Sequence, residues 1–311
     1  MEPKHFGPQA EHFLITGATG FIGRLLVPAL LADGKQVTVL TRSPEQATQS
    51  FPSVVRCIAQ MSDLPIDQKI DVIINLAGAR ILGTRWSASR RQILRDSRIG
   101  LTKSVVDWIA RANHKPRLLL STSAIGYYGI QPQGDNTVLN EDSPPQAIFM
   151  SQLCQEWEAA AQQAAVHGVR VVCMRLGFVL GRQGSLPAMM LPVKLGLAGA
   201  LGSGRQWLSW IHVQDVLRGM AFLCNSAELL TGAFNFTAPE PVHQKQFMQT
   251  AASVLKRPCF MPPLPGLPVK LLLGEQADLL LEGQRVVPER LQGAGFRFAF
   301  PDPRSALKDL L

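Results

Sequence analysis

Three glycines, Gly17, Gly20 and Gly23, stand in the run Ile15-Thr16-Gly17-Ala18-Thr19-Gly20-Phe21-Ile22-Gly23 and carry the clearest chemistry in this chain. They follow an apolar run and open a helical pattern over Phe21–Ala32. In that setting the first glycine permits a tight turn and the second lets the backbone approach a diphosphate. The third lets the helix pack closely on the strand. The helix start adds oriented N–H groups and the positive end of its dipole. The loop therefore reads as a dinucleotide cradle, with contacts from Gly17, Thr19, Gly20, Phe21, Ile22 and Gly23. A glycine-rich turn without a ligand is the plain alternative.

What ends the second strand selects the nucleotide. The pattern Gln36–Leu40 runs into Thr41-Arg42 with no acid. An acid there would hold the ribose 2′-OH of NAD and repel the 2′-phosphate of NADP, whereas a guanidinium pairs with that phosphate through two parallel hydrogen bonds. Thr41 and Arg42 thus predict NADP(H) over NAD(H).

Other chemistries are excluded by residue spacing. The five cysteines (57, 154, 173, 224 and 259) form no CxxC pair, and the six histidines form no HxxxH or HExxH pattern. Neither a zinc site nor a disulfide framework is expected, and reduced thiols fit a cytoplasmic protein. With 311 residues, 46% of them hydrophobic and 17% charged, the chain has enough apolar material for a large core. No stretch of 18 or more apolar residues is free of charge, which argues against a membrane span. The amino terminus, MEPKHFGPQAEH, is polar and does not look like a signal peptide.

The net charge is +8, and six arginines fall between Arg80 and Arg98 against one acid, Asp96. Two readings stand: an anion-binding face, or a solvated helix on which Arg91, Arg95 and Arg98 recur at one-turn spacing. No aromatic interleaving supports nucleic acid, so that partner is not expected.

The elements that must position these residues alternate. β-Branched runs at His12–Thr16, Gln36–Leu40, Val54–Ile58, Asp71–Asn75, Arg117–Ser121 and Val169–Met174 are separated by helical patterns, the longest being Ser87–Ala112 and Phe149–His167. Strands separated by helices join through crossovers, so the fold class is α/β, a Rossmann-like doubly wound parallel sheet. After Arg175 shorter elements follow: Phe234–Phe236, His243–Leu255, Val269–Leu281 and a last helix near Pro303–Leu311. The run Met261–Pro268 (MPPLPGLP) reads as an extended connector. The expected organisation is a polar extension (1–11), a nucleotide-binding domain (12–182, with 205–236 returning to it) and a smaller, mainly α-helical lobe (183–311).

With two residues between successive glycines, the loop resembles that of the extended short-chain dehydrogenases/reductases. Asn75-Leu76-Ala77-Gly78, Ser121-Thr122-Ser123 and Trp210-Ile211-His212-Val213-Gln214-Asp215 match further elements of that superfamily. The stretches DSRIGLT (96–102), STSAIGYYG (121–129), RLGFVLG (175–181), GSGRQWLSWIHVQD (202–215) and GQRVVPERLQGAGFRF (283–298) resemble the epimerase-family members of the YfcH type. Those carry a characteristic carboxy-terminal domain, here about 260–311. The resemblance implies NADP binding, adds Ala77, Gly78 and Ser121 to the cofactor contacts, and places Ser123 at the superfamily's catalytic serine. It also implies a homodimer built on the helices 87–112 and 149–167, which light scattering tests.

The resemblance fails where the chemistry should occur. The superfamily uses a Tyr-x-x-x-Lys pair, in which the phenol moves a proton and the lysine lowers its pKa and holds the nicotinamide ribose. The only tyrosines here are Tyr127 and Tyr128, and four residues on lie Gln131 and Pro132. Aligning the helix that should carry the pair puts Phe149 and Leu153 in their places. Three readings remain: Ser123 with Tyr128 or Tyr127 takes over, a cation coming from Arg98 or Arg175; hydride moves with water or substrate supplying the proton; or the chain binds NADP(H) as a sensor without turnover.

Arg98, where relatives typically carry Asn, is read either as a salt-bridged residue, to Asp96 or Glu141, or as a contact for an anionic substrate. His212 and Asp215 are expected to cap the late helix and brace the lobes. Leu208 stands where nucleotide-sugar epimerases typically carry an arginine. With Trp207, Trp210, Met189 and Met190 nearby, this suggests a small, largely apolar carbonyl or hydroxyl substrate.

Overall fold

A computed structural model of the chain describes residues 5–83, 85–226 and 230–311. Its strands are β1 (His12–Thr16), β2 (Gln36–Leu40), β3 (Arg56–Ile58), β4 (Val72–Asn75), β5 (Leu118–Ala124), β6 (Arg170–Leu176), β7 (Phe178–Leu180), β8 (Trp207–Leu208), β9 (Trp210–His212), β10 (Gly232–Phe236) and β11 (Val242–His243). Seven of them form one sheet in the order β10-β6-β5-β4-β1-β2-β3, every pairing parallel. The chain runs outward from β1 in both directions, so the carboxyl ends of β1 and β4 flank a topological switch point.

The helices are α1 (Gly23–Ala32), α2 (Pro44–Thr48), α3 (Ala88–Arg95), α4 (Leu101–Arg111), α5 (Phe149–Gln162), α6 (Leu186–Lys194), α7 (Val213–Asn225), α8 (Gln244–Val254), α9 (Gly266–Leu273), α10 (Asp278–Leu281), α11 (Glu289–Gly293) and α12 (Pro303–Leu310). Both faces of the sheet are covered, which explains why its strands read as unbroken apolar runs. Phe13, Ile15, Ile74, Leu118 and Leu120 pack toward α1 and α7, while Leu14, Ile73 and Leu119 pack toward α4. A separate core made from α6, α8, α12 and Trp210 holds the smaller lobe together.

The structure changes several element readings. The helix expected over Ser87–Ala112 is interrupted by a π-helical turn, Asp96–Gly100, between α3 and α4. Such turns arise from one inserted residue and shift every later side chain around the axis. The expected extended connector is shorter than MPPLPGLP, because α9 begins at Gly266. Pro268 fits there since first-turn residues need no N–H partner. Gly274, at φ +60°, then splits the pattern expected over Val269–Leu281. Nor is the described part of the polar extension peripheral: Phe6 is fully buried edge-on to Phe13, and its N–H donates to Asp33 at 2.7 Å.

The carboxy-terminal segment does not stay within the smaller lobe. Glu275 pairs with Arg91 on α3 at 2.7 Å, Arg85 donates to the carbonyls of Leu271 and Leu272, and Leu279 packs beside Phe149. These contacts strap the tail across the carboxyl edge of the sheet.

Candidate functional site

A buried polar lattice forms the floor of the switch point. Thr16 Oγ1 donates to Asn75 Oδ1 at 2.6 Å and accepts from the Ala77 N–H at 3.1 Å. Asn75 Nδ2 donates to Thr102 and Ser121, at 2.9 and 3.2 Å, and Thr122 donates to the Asn75 carbonyl. Buried polar groups persist only when paired, and here their pairing fixes the ends of β1, β4 and β5 relative to one another. Ser121 thus sits in the floor. Asn75 and Thr102, which lie in the matched stretches 75–78 and 96–102 but carried no expected role there, are structural members of it.

Above this floor lies the glycine loop. Gly17 adopts φ +68°, and a Cβ on it would lie 2.7 Å from the Leu76 carbonyl carbon. Gly23 is pressed against Ala18. Gly20 differs: a Cβ there would meet only the Gly17 oxygen, at 3.1 Å. The start of α1 has no side-chain cap and no acid in its first turn. Thr19 and Gly20 are exposed and Phe21 and Ile22 half-buried, with Phe21 reaching Gly181 and Gly184 in the segment after β7. Arg24, which spacing alone did not single out, bonds the Thr19 carbonyl at 2.9 Å and adds a cation at the same helix start. At the end of β2, Arg42 is exposed and forms no ion pair among the described residues. The Thr41 N–H is anchored to the Ile58 carbonyl.

The groups expected to move a proton are placed differently from one another. Ser123 is buried, and its hydroxyl donates to Glu158 Oε1 at 2.6 Å. Glu158 in turn is gripped by both arms of Arg175, at 2.8 and 2.9 Å. Tyr128 is 2% exposed, donates to Asn235 at 2.7 Å and accepts from Arg175 at 2.9 Å. Burial pushes its phenol up to about 12 despite the neighbouring guanidinium. A phenol with both hydrogen-bonding roles filled and so high a pKa does not fit the expected proton transfer by Tyr128. Its neighbour Tyr127 stacks beneath Arg175, whose Cζ lies 3.4 Å from the ring centre.

The helix register also needs correction. Phe149 faces α3, edge-on to Trp86 and beneath Arg91 and Arg95, and Leu153 packs with Leu94. The α5 side chains over the end of β5 are one residue on. A Cβ on Gly126 would lie 3.2 Å from Met150 Cε and 3.8 Å from Cys154 Sγ. Met150, Cys154 and Glu158 thus form one stripe at four-residue spacing, a signal present in the sequence but masked by the equally regular stripe beside it. Burial pushes the Cys154 thiol up to about 12, so it stays neutral.

The remaining expectations resolve by contact. Four of the six clustered arginines are tied up within the fold: Arg91 pairs with Glu275, Arg95 with Glu156, Arg90 with the Arg80 carbonyl, and Arg85 with α9. Arg98 makes no salt bridge to Asp96 or Glu141; Glu141 instead accepts from the Asn235 N–H at 2.9 Å. His212 caps α7 through the Gln214 N–H and stacks on Phe300, while Asp215 accepts from the Ala299 and Phe300 N–H groups. Trp210 and Met190 are core residues with no exposed surface, and Trp207 stacks on His243. Among the described residues no cluster of His, Cys, Asp or Glu could hold a metal, and no helix is long and apolar enough to cross a membrane.

A doubly wound parallel sheet with a glycine loop at its switch point defines a Rossmann-type, nucleotide-binding class of protein. Residues 13–235 match the model of the NAD dependent epimerase/dehydratase family, and residues 264–310 match a domain of unknown function, DUF1731. The chain belongs to that epimerase/dehydratase family. It is 39% identical to an epimerase family protein, SSP1921, of Staphylococcus saprophyticus, over 97% of this chain and 99% of the other. It is 40% identical to the chloroplastic SDR39U1 homologue of Arabidopsis thaliana, over 96% and 86%. The crystal structure of human epimerase family protein SDR39U1 with NADPH superposes with a TM-score of 0.83 at 32% identity, covering 96% of this chain and 98% of that one.

Proposed function

We propose that the chain is an NADP(H)-dependent oxidoreductase or epimerase-like enzyme acting on a small, largely apolar carbonyl or hydroxyl compound. The observation that carries this reading is Gly20. It leaves space above an uncapped helix start flanked by Arg24, with Arg42 at the next strand end unpaired among the described residues. A nucleotide diphosphate with a 2′-phosphate fits that donor set. The solved relative's NADPH supports the same choice. Met150, which lies against Gly126 just past β5, and the cluster it shares with Ile81, Trp86 and Leu279 are apolar, which favours an apolar substrate over a sugar nucleotide.

A bound nicotinamide supplies or accepts a hydride; the chain must orient the substrate oxygen and manage its proton. Glu158, clamped by Arg175, fixes the Ser123 hydroxyl. With Met150 and Cys154 on the facing helix, Ser123 and water are the proton routes that remain. Replacing Ser123 with Ala should lower turnover by about 100-fold, the lower range for a lost proton-transfer group, with dinucleotide affinity unchanged. Full activity in that variant would remove Ser123 from the chemistry.

Arg42→Ala should weaken NADPH by roughly tenfold or more and leave NADH unchanged, because only the 2′-phosphate loses a charge-assisted pair. Fluorescence titration reads both, and equal wild-type affinities would refute the NADP preference. A second reading, an NADP(H)-responsive regulator without turnover, is favoured by the apolar and neutral side chains at the dyad positions. Incubation with NADPH and a carbonyl panel separates the two, since absorbance at 340 nm falls only for an enzyme.

A further inference from the structure

Arg98 is 8% exposed, yet among the described residues it forms no ion pair. Its bonds are to neutral groups: Nη2 donates to the Ala79 carbonyl at 2.9 Å, and Nη1 to the Leu94 carbonyl and Ser97 Oγ, each at 3.4 Å. Its Cζ lies 5.2 Å from the Trp157 ring centre. A buried charge ordinarily finds a counter-charge or returns to water, so an unopposed guanidinium at this depth calls for a ligand.

Its position suggests which one. The π-helical turn Asp96–Gly100 carries Arg98 inward, away from its surface neighbours Arg91 and Arg95. The guanidinium lies against the loop after β4, where a Cβ on Gly78 would be 3.0 Å from its Cζ. On its other side its Cζ faces the Trp157 ring of α5, three residues beyond Cys154. It therefore stands between a loop that flanks the nucleotide cradle and the helix that carries the position where a lysine would be expected.

We propose that Arg98 supplies, from the π-helical turn, the cation that holds the ribose next to the nicotinamide, replacing a lysine at the position Cys154 occupies. This rests on the dinucleotide reading above. Five donors in a planar fork suit a ribose diol while still serving the Ala79 carbonyl. Desolvation lowers its pKa to about 10, which leaves it charged at neutral pH.

Calorimetry of wild type, Arg98→Met and Arg98→Lys with NADPH and with 2′,5′-ADP, which lacks the nicotinamide ribose, tests this directly. Arg98→Met should bind NADPH at least tenfold more weakly and 2′,5′-ADP as well as wild type does, with partial recovery in Arg98→Lys. Unchanged NADPH affinity, or equal losses for both ligands, would overturn the assignment. On the wild-type protein, the Arg98 Nε–H resonance should shift with NADPH and not with 2′,5′-ADP; identical shifts would count against it even if Arg98→Met does not fold. A wild type that binds neither ligand would defeat the dinucleotide reading itself.

Discussion

Gly20→Val should abolish dinucleotide binding, lowering affinity by at least 100-fold, about 2.7 kcal/mol, while the protein stays folded. The added Cβ meets one atom within 4 Å, the Gly17 oxygen at 3.1 Å, a tight contact that a shift of a few tenths of an ångström relieves, and the rest of the side chain lies above the helix start. It would occupy the volume a diphosphate needs without disturbing the core. Gly17→Val is the control with the opposite signature. At φ +68°, with the Leu76 carbonyl carbon 2.7 Å from where its Cβ would lie, it strains the backbone and collides with β4's continuation. A combined cost of about 3 kcal/mol or more is expected from strain and overpacking together. Calorimetric titration and thermal unfolding of both variants distinguish a ligand cradle from a merely tight turn. If Gly20→Val binds NADPH as well as the wild type does, the loop does not hold a diphosphate.

The second large effect concerns the ion pair behind Ser123. Arg175→Met leaves Glu158 without its bidentate partner, and the side chains of this pair are only 5% and 12% exposed. Removing one member of a buried pair costs about 3–5 kcal/mol, because the other charge stays desolvated. Tyr128 and the Glu141 carbonyl lose a donor in the same substitution. Arg175→Met should therefore melt well below the wild type, and Arg175→Met/Glu158→Leu should recover much of the loss, since the stranded charge is then gone. A single variant as stable as the wild type, or a double variant with the two costs simply added, would show that the pair does not brace β6 against α5.

The two effects locate different parts of the site. The proposed nucleotide cradle is a loop whose meaning lies in local spacing, and its glycines and the strand before them were legible for that reason; the role proposed for Arg42 rests on the same local reading. The parallel sheet was legible too, because strands covered on both faces are apolar throughout. Arg98 was not: from sequence it extends a surface stripe with Arg91 and Arg95, and only the inserted π-helical residue turns it inward. The α5 register was ambiguous for a related reason. Phe149 with Leu153 and Met150 with Cys154 share the same spacing, and both stripes are buried, one against α3 and the other over β5. Tyr128 looked reactive because tyrosine is rare in this chain, but its environment is a filled hydrogen-bond network.

The family, the doubly wound sheet and the glycine loop are all written in the order of the amino acids, since each follows from residue type at short range. Packing settles which side chains meet near the end of β5: Ser123 with Glu158 and Arg175, Arg98 with Trp157, and the tail strapped to α3 by Glu275. Those partners come from distant segments, and burial, which sets their charge and freedom, is a property of the packed molecule rather than of any one segment.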